Sequence, residues 1–211
     1  MKIIIPARRD TKGLPFKNRK LLDYTIAKIP KDFIKNAYVT TDDEVILEKA
    51  INKGLGGIKR RKELAEDTTS VKDVMIDVVK QLHLKETEII VMLYLTYPQR
   101  SWQEIKSAFN FLKKHNAKSL LCKKELKVSP YLCMIENGLK GKQVTEHDLY
   151  RRQDYPNCFE ISHFICIFKV SELNNLNNNM YNHNTIFYKI GEVIDIDRLT
   201  DMEKFYDKNY S

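Results

Sequence analysis

Residues 2–18 read KIIIPARRDTKGLPFKN, a short apolar run that passes directly into a basic, glycine-containing loop. Three consecutive isoleucines followed by Pro6 are typical of a buried strand. The loop carries Arg8, Lys17 and the hydroxyl of Thr11. Cations offset the charge of a polyphosphate, and backbone N–H groups near a glycine can approach its oxygens. The pattern GxxxxGK[ST] is absent, so this is not a Walker loop. A solvated basic surface is the alternative that composition alone leaves open.

The next hundred residues alternate between strand and helix patterns. Strands are predicted at Ala37–Thr41, Glu88–Leu95 and Ser119–Cys122. Helices are predicted around Leu22–Lys28, over Glu44–Lys53, from Ser70, and from Ser101 to about His115. The second of these helices is expected to be capped by Asp42-Asp43 and ended by Gly54–Gly57. This rhythm predicts an α/β protein with a mostly parallel sheet and right-handed crossovers. Ligands of such sheets bind beyond the carboxyl ends of the strands. We expect the loop after Pro6, the corner at Thr41-Asp42 and the turn at Thr96–Arg100 to meet there.

The rhythm breaks after about residue 123. Residues 124–162 are predicted to be irregular strands and loops, with further strands at Ser162–Val170, Ile186–Ile190 and Val193–Ile196, and a terminal helix capped by Thr200. With 211 residues, 43% hydrophobic and 30% charged, the chain fits one globular domain over residues 1–211. We treat 124–162 as an insertion within it.

Several protein classes are disfavoured by the composition. No run approaches the ~18 apolar residues of a membrane span, and residues 1–6 are too short an apolar stretch for a secretory signal, so we expect a cytoplasmic protein. The four cysteines form no CxxC pair and the five histidines no HExxH group, which argues against structural zinc. Three of the cysteines have an apolar neighbour, which indicates buried, reduced thiols.

The net charge of +8 is unevenly distributed. Residues 1–62 contain 16 Lys/Arg and 7 Asp/Glu, a net of +9, whereas residues 63–211 contain 20 and 21, a net of −1. A basic balance is compatible with nucleic acid, anionic lipid or a phosphorylated small molecule as partner. Because the excess is confined to the first third, which is rich in loops and poor in aromatic residues, the phosphorylated small molecule is favoured.

A second group of chemistry-bearing residues is the segment Ile194-Asp195-Ile196-Asp197. In a strand, Asp195 and Asp197 would share one face. Two adjacent carboxylates repel each other unless a cation joins them, and Mg²⁺ is the natural candidate. A solvated strand end is the common alternative for an isolated DxD. Two further basic groups, Arg60–Lys62 and Arg151–Gln153, offer donors for phosphate or carboxylate but decide nothing alone.

Taken in order, six segments resemble the cytidylyltransferases that activate acidic sugars, the CMP-N-acylneuraminate (CMP-sialic acid) synthetase family. The family patterns I-[IL]-A-R-x-x-S-K-G-[IL]-x-x-K-N, S-T-D-D, R-P-x-E-L-A-x-D, Q-P-T-S-P-L-R, R-[RQ]-Q-x-L-P and S-I-D-I-D match residues 5–18, 40–43, 61–67, 94–100, 151–156 and 193–197. Each match is weak alone, but the ordered set is specific.

The resemblance implies a Rossmann-like nucleotidyltransferase sheet flanked by helices, CTP as substrate, Mg²⁺ as cofactor, and a homodimer formed through 124–162. The implied nucleotide-binding residues are Ala7, Arg8, Thr11, Lys17, Asn18, Arg61 and Thr69, with Asp195 and Asp197 as metal ligands. The implied acceptor-binding residues are Tyr94, Arg152, Gln153 and His163. Arg8, Lys17 and Asp197 are the implied catalytic residues, acting by positioning and charge neutralisation.

The departures from the family patterns lie on the acceptor side. Tyr94, Leu95 and Tyr97 replace Gln, Pro and Ser of Q-P-T-S-P-L-R, and 162–167 lacks the Asn and Gly of N-G-A-I-Y-I. We therefore expect an acidic acceptor other than N-acetylneuraminate, either another nonulosonic acid or a small phosphonate or phosphate. The alternatives are a 3-deoxy-manno-octulosonate-type cytidylyltransferase and a non-catalytic protein that binds nucleotide or nucleic acid. We expect neither nucleic acid nor membrane as a partner.

Overall fold

The computed structural model describes residues 1–10 and 13–210, with side chains through residue 207. The strands are β1 Lys2–Pro6, β2 Ala37–Thr41, β3 Gly56–Lys59, β4 Ile89–Met92, β5 Ser119–Glu125, β6 Met134–Asn137, β7 Lys140–Gln143, β8 Phe159–Lys169 and β9 Ile186–Lys189. The helices are α1 Lys17–Ala27, α2 Lys31–Ile34, α3 Glu44–Asn52, α4 Val71–Gln81, α5 Trp102–Lys114 and α6 Leu199–Tyr210.

Seven strands form one sheet in the order β3-β2-β1-β4-β8-β5-β9. The four strands from β3 to β4 pair in parallel, and so do β5 and β9, while β8 runs antiparallel to both of its neighbours. The predicted α/β class with a mostly parallel sheet is confirmed. The carboxyl ends of β1, β2 and β4 therefore lie at one edge of the sheet, where the first strand passes into the basic loop.

The isoleucines of β1 connect two hydrophobic layers. Ile3 and Ile5 pack into the layer formed with α1, α3, α5 and α6, whereas Ile4 faces α4 on the other side. All three are fully buried, and burial of each such side chain is worth about 1.5–3 kcal/mol. A strand that is apolar on both faces cannot lie at the edge of a sheet, so β1 occupies the interior.

Three helices begin at the predicted caps. The Asp43 carboxylate accepts the N–H of Val45 at the start of α3, and Ser70 accepts from the backbone of α4. Ser101 and Glu104 form a reciprocal capping box at the start of α5, which satisfies backbone donors that have no partner within the helix. Local sequence therefore determines where these helices begin.

Three predicted boundaries are wrong. Gly54–Gly57 was expected only to end a helix, but Gly56 begins the edge strand β3, where any side chain on it would collide with the ring of Tyr38. The expected cap Thr200 lies inside α6, because the carboxylate of Asp201 accepts the N–H of Arg198 and the helix begins at Leu199. In addition, α1 begins at Lys17, five residues earlier than predicted.

The irregular region 124–162 contains a hairpin that is separate from the main sheet. Strands β6 and β7 pair only with each other among the described strands. Gly138, in the Asn137-Gly138 turn between the two strands, has a φ of 58°, a left-handed conformation that favours glycine. All four residues of β6 are exposed. The start of β8 at Phe159 also falls inside this region, so the return to the main sheet occurs three residues earlier than predicted.

The four cysteines differ in their burial. Cys122 and Cys166 are buried thiols, whereas Cys133 is half-buried and Cys158 is exposed. Burial raises the pKa of Cys122 to about 12, so this thiol is unreactive at neutral pH.

Among the residues that the structure describes, there is no helix with the length and apolar character needed to cross a lipid bilayer.

Candidate nucleotide-binding site

A cleft of about 220 Å³ lies at the carboxyl edge of the parallel strands. Five of the residues singled out from the sequence line it, namely Arg8, Lys17, Asn18, Thr69 and Tyr94, together with Arg60. The expected meeting of the loop after Pro6 with the segment that follows β4 is confirmed, since Pro6, Leu95 and Thr96 line the same cleft. The sheet thus brings a basic loop and a largely apolar wall to one place.

The first wall of the cleft is the loop after β1. The guanidinium of Arg8 donates to the carbonyl of Asp10 at 2.7 Å and pairs with the Asp67 carboxylate at 2.6 Å. The side-chain amide of Asn18 donates to the carbonyl of Arg8 at 2.7 Å and so anchors the loop to α1. Ala7 is buried and its N–H bonds the Thr40 carbonyl. Thr11, the other residue predicted in this loop, lies outside the described residues.

Lys17 joins this loop to the far end of the chain. It is the first residue of α1, and its side chain is 7% exposed. The ammonium donates to the carbonyl of Ile196 at 2.9 Å and to a carboxylate oxygen of Asp197 at 2.6 Å. Gly13 lies so close to the Asp197 carbonyl that a Cβ would overlap it. The basic loop is therefore closed against residues 196–197.

The segment before α6 is not a strand, which corrects the prediction for Val193–Ile196. Its backbone bonds the turn after β4 and not a neighbouring strand, because Ile196 donates to the Thr96 carbonyl at 2.9 Å and Gln99 donates to the Ile194 carbonyl at 2.9 Å. The alternation nevertheless persists, since Ile196 is fully buried and the aspartates on either side of it are exposed.

Asp195 and Asp197 have different partners. The hydroxyl of Tyr97 donates to Asp195 at 2.7 Å, whereas Asp197 pairs with Lys17. The described residues contain no group of three or more His, Cys, Asp or Glu side chains placed to hold a metal ion. Mg²⁺ in phosphate-transfer sites is commonly held by one or two carboxylates plus substrate phosphates and water. Two exposed carboxylates next to a basic loop fit that type of site.

The structure brings Arg60, and not Arg61, to the lining of the described cleft. Arg60 is 7% exposed, one guanidinium nitrogen donates to the Thr40 carbonyl at 3.0 Å, and its Nε has no hydrogen-bond partner among the described residues. Burial lowers the pKa of Arg60 to about 10, so it remains a cation at neutral pH. Arg61 points elsewhere and pairs with Asp77 at 3.0 Å.

Arg60 was detectable in the sequence. The pattern R-P-x-E-L-A places its arginine three residues before the glutamate, and three residues before Glu63 is Arg60. The pattern has two residues between its arginine and its glutamate, whereas only Lys62 lies between Arg61 and Glu63. A count backwards from Glu63-Leu64-Ala65 would have selected the buried arginine.

The remaining lining of the cleft, as far as the structure describes it, is mostly aliphatic and includes Thr69 and one aromatic residue, Tyr94. Thr69 donates its hydroxyl to the Glu63 carbonyl at 3.0 Å. Burial raises the pKa of Tyr94 well above its usual value, so its hydroxyl stays neutral. The Tyr94 ring meets the His163 ring edge to face, with centroids 5.6 Å apart, and His163 contacts the Asn179 carbonyl. Two predicted acceptor-side residues therefore lie together.

The other two predicted acceptor residues lie elsewhere. Arg152 and Gln153 lie in a short 3-10 helix, Arg152–Asp154, within the 124–162 region. Arg152 lines a second cleft of about 510 Å³, together with Lys127, Tyr155 and Cys158. Gln153 is exposed. Within the described chain, neither residue is among those lining the first cleft.

Two residues of the Thr96–Arg100 turn were not predicted as site residues. Arg100 is 2% exposed, donates to the carbonyls of Phe164 and Tyr94, and fixes the start of the turn to β8. Burial lowers the pKa of Arg100 to about 10. Burial and the nearby charge of Asp195 raise the pKa of Tyr97, so its hydroxyl is protonated and donates. A contact between residues 97 and 195 leaves no signal in local spacing.

The sheet and its basic cleft define a protein with the nucleotidyltransferase fold. Three solved structures share it: a CMP:2-keto-3-deoxy-manno-octonic acid synthetase complexed with CTP (TM-score 0.69, 14% identity, 99% of this chain and 98% of that one), a 4-diphosphocytidyl-2C-methyl-D-erythritol synthase from Anaerococcus prevotii (0.65, 16%, 100% and 98%), and a cytidylyltransferase from Leptospira borgpetersenii (0.62, 16%, 100% and 87%).

The family model described as cytidylyltransferase matches residues 2–209, and the chain belongs to that family. N-acylneuraminate cytidylyltransferases from Streptococcus agalactiae, serotypes III and Ia, are 29% identical to it over 170 residues. The matched region covers 73% of this chain and 41% of each relative, so the chain spans less than half of the length of these relatives.

Proposed function

We propose that the chain transfers CMP from CTP to an acidic acceptor, with release of pyrophosphate and dependence on Mg²⁺. The observation that carries this proposal is the cleft itself, which is lined by Arg8, Lys17 and Arg60 and whose Lys17 pairs with the exposed carboxylate of Asp197. Membership of the cytidylyltransferase family selects CTP as the nucleotide.

The reaction forms a bond between an acceptor oxygen and the α-phosphorus of CTP and breaks the bond from that phosphorus to the bridging oxygen of pyrophosphate. The charge that develops on the leaving group is the main demand on the protein, so fixed cations in the right place supply most of the acceleration. Arg8 and Lys17 would contact the phosphates, and Asn18 would hold the loop in shape through the Arg8 carbonyl. Arg60 would provide a buried donor for the nucleoside.

Both phosphate-binding cations now hold carboxylates: Arg8 pairs with Asp67 and Lys17 with Asp197. A triphosphate would replace these carboxylates as their partner, and Asp197 would then be free to ligate Mg²⁺ together with Asp195. Bound there, Mg²⁺ would neutralise charge on the phosphates. The proposal therefore includes an exchange of partners at Lys17, and Asp197 is a metal ligand only in the loaded site.

The acceptor side supports a substrate other than N-acetylneuraminate. The Tyr94 and His163 rings pack together where the family patterns have Gln and Gly, and these larger side chains change the shape of the space left for the acceptor. We propose a nonulosonic acid-like sugar with a different substitution, or a small phosphonate or phosphate.

The test is an acceptor screen with CTP and Mg²⁺ that follows pyrophosphate release. Turnover with a nonulosonic acid other than N-acetylneuraminate, or with a small phosphonate or phosphate, supports the proposal. Robust turnover with N-acetylneuraminate alone would overturn the proposed acceptor class, and turnover with 3-deoxy-manno-octulosonate alone would favour the alternative enzyme. CTP binding without pyrophosphate release for any acceptor would indicate a non-catalytic nucleotide-binding protein.

The metal assignment has its own test. We expect Asp197→Ala to abolish turnover while the protein remains folded, because Asp197 is exposed and its loss leaves no buried cavity. The fold is monitored by circular dichroism. Wild-type turnover in this variant would remove Asp197 from the metal site.

We also propose that the chain forms a homodimer through the insertion. An isolated two-stranded hairpin is marginally stable in water, yet β6 and β7 expose Met134, Ile135 and Leu139. A second copy of the same hairpin would cover these side chains. Sedimentation at micromolar concentration tests this proposal. The wild-type protein is expected to be a dimer and Ile135→Asp a monomer, and a monomeric wild-type protein would refute the proposal.

The cytoplasmic location stays a prediction from the sequence.

A further inference from the structure

The Tyr97 side chain is held rigidly beside the segment that carries Asp195. It is 6% exposed, its ring meets the Phe164 ring edge to face with centroids 5.6 Å apart, and the Arg100 guanidinium lies 5.8 Å from the ring centroid. With the ring fixed on two sides, the hydroxyl has one available position. That position is 2.7 Å from a carboxylate oxygen of Asp195.

This hydrogen bond differs from the others that hold the segment. The Ile196 N–H bonds the Thr96 carbonyl, and the Gln99 amide bonds the Ile194 carbonyl, so these two contacts fix the backbone on either side of Asp195. Neither contact fixes the rotation of the Asp195 side chain. Tyr97 contacts the carboxylate itself and therefore determines which way its oxygens point.

We infer that Tyr97 is a positioning residue that orients the Asp195 carboxylate for the divalent cation accompanying CTP, an inference that rests on the proposed function. The buried Tyr97 hydroxyl donates to one carboxylate oxygen of Asp195. The other carboxylate oxygen is then available as a monodentate ligand. The carboxylate loses little rotational freedom when the cation binds, because it is already oriented. Partners of this kind are typically worth 10–100-fold in metal affinity or activity.

The contact is a property of this chain's own sequence. The family pattern Q-P-T-S-P-L-R has serine where this chain has Tyr97. The substitution of serine by tyrosine thus supplies a buried hydroxyl donor to the Asp195 carboxylate.

The test measures Mn²⁺ binding to the protein by water-proton relaxation enhancement, with one equivalent of CTP and without acceptor, because this signal distinguishes protein-bound Mn²⁺ from Mn²⁺ chelated by free CTP. Tyr97→Phe keeps the ring and removes only the hydroxyl, so thermal melts are expected to show a folded protein. We expect Mn²⁺ affinity to fall about tenfold, with CTP affinity in EDTA unchanged. Tyr188→Phe is the matched control, because Tyr188 lies on β9 and packs edge to face on Phe111.

A second variant tests whether Tyr97 acts through Asp195. Asp195→Asn is expected to weaken Mn²⁺ binding at least as much as Tyr97→Phe. The inference is overturned if Tyr97→Phe binds Mn²⁺ within twofold of wild type, if it weakens CTP binding in EDTA equally, or if Asp195→Asn binds Mn²⁺ normally. If the wild-type protein binds neither CTP nor Mn²⁺, the proposed function itself fails. That result differs from a failure of the inference, in which the wild-type protein binds both and Tyr97→Phe binds Mn²⁺ equally well.

Discussion

Replacing Lys17 by methionine tests whether this residue acts on the nucleotide or only on the fold. The structural cost can be worked from its two bonds. The bond to the Ile196 carbonyl is buried and made by a charged donor, which is worth about 1.5–3 kcal/mol. The pair with Asp197 has a partner whose side chain is 66% exposed, and pairs of this kind contribute about 0–1 kcal/mol.

Lys17→Met should therefore lower the free energy of unfolding by about 2 kcal/mol, which for a chain of this size corresponds to a Tm about 4–8 °C lower. The variant stays folded at 25 °C. Its turnover should fall much further, by about 10²–10³-fold in kcat, because a fixed cation facing the leaving group is removed. A continuous pyrophosphate assay measures turnover, and differential scanning fluorimetry measures Tm.

Lys20→Met is the control, since Lys20 lies on the same helix and is exposed. It removes the same charge and is expected to change neither Tm by more than about 1 °C nor turnover. If Lys17→Met showed the lower Tm but retained kcat and KM within threefold of wild type, Lys17 would be a purely structural residue. The assignment of the basic loop to the triphosphate would then be refuted.

Three further outcomes are expected. Arg60→Met should weaken CTP binding about 10-fold or more, measured by calorimetry, whereas Arg61→Met should bind normally; the reverse order would contradict the assignment. Gly13→Ala should lose turnover because its methyl group displaces Asp197, and a fully active variant would show that this close approach is dispensable. Burial alone would raise the pKa of the Asp43 carboxyl, but hydrogen bonds from the Arg19 side chain and from the backbone of α3 outweigh it and lower that pKa. The ion pair thus stabilises the fold fully above the unfolded pKa of about 3.9, and its contribution declines below that pH until it is lost as pH falls through the lower pKa of the folded state. The stability deficit of Asp43→Asn in urea titrations should therefore shrink from pH 7 to pH 3, and a constant deficit would count against this linkage.

Local sequence predicted the parts of the fold that local interactions determine. The caps at Ser70 and Ser101 and the fully apolar β1 follow from hydrogen bonding and burial within a few residues, and the structure has them where they were expected. The insertion of β8 as an antiparallel strand between β4 and β5 depends on contacts between residues 74–80 positions apart with β4 and 34–49 positions apart with β5. A strand pattern carries no information on the direction of its neighbours.

The candidate site shows the same division. The basic loop is continuous in sequence, and its phosphate-binding character was predicted from residue types and position. The partner that closes it, the segment at Asp197, was identified for its carboxylates but was expected in a strand. The contact between Tyr97 and Asp195 depends on the docking of two irregular segments 98 residues apart, which no local pattern encodes.

The bond from Lys17 to Asp197 joins residues 180 positions apart. At translation rates of roughly 5–20 residues per second, the lysine would be synthesised roughly 9–36 s before its partner. The last strand, β9, ends at Lys189, so every strand of the main sheet is made before the segment that closes over Lys17. The basic loop is therefore closed only at the end of synthesis, when residues 196–197 dock against an already complete sheet.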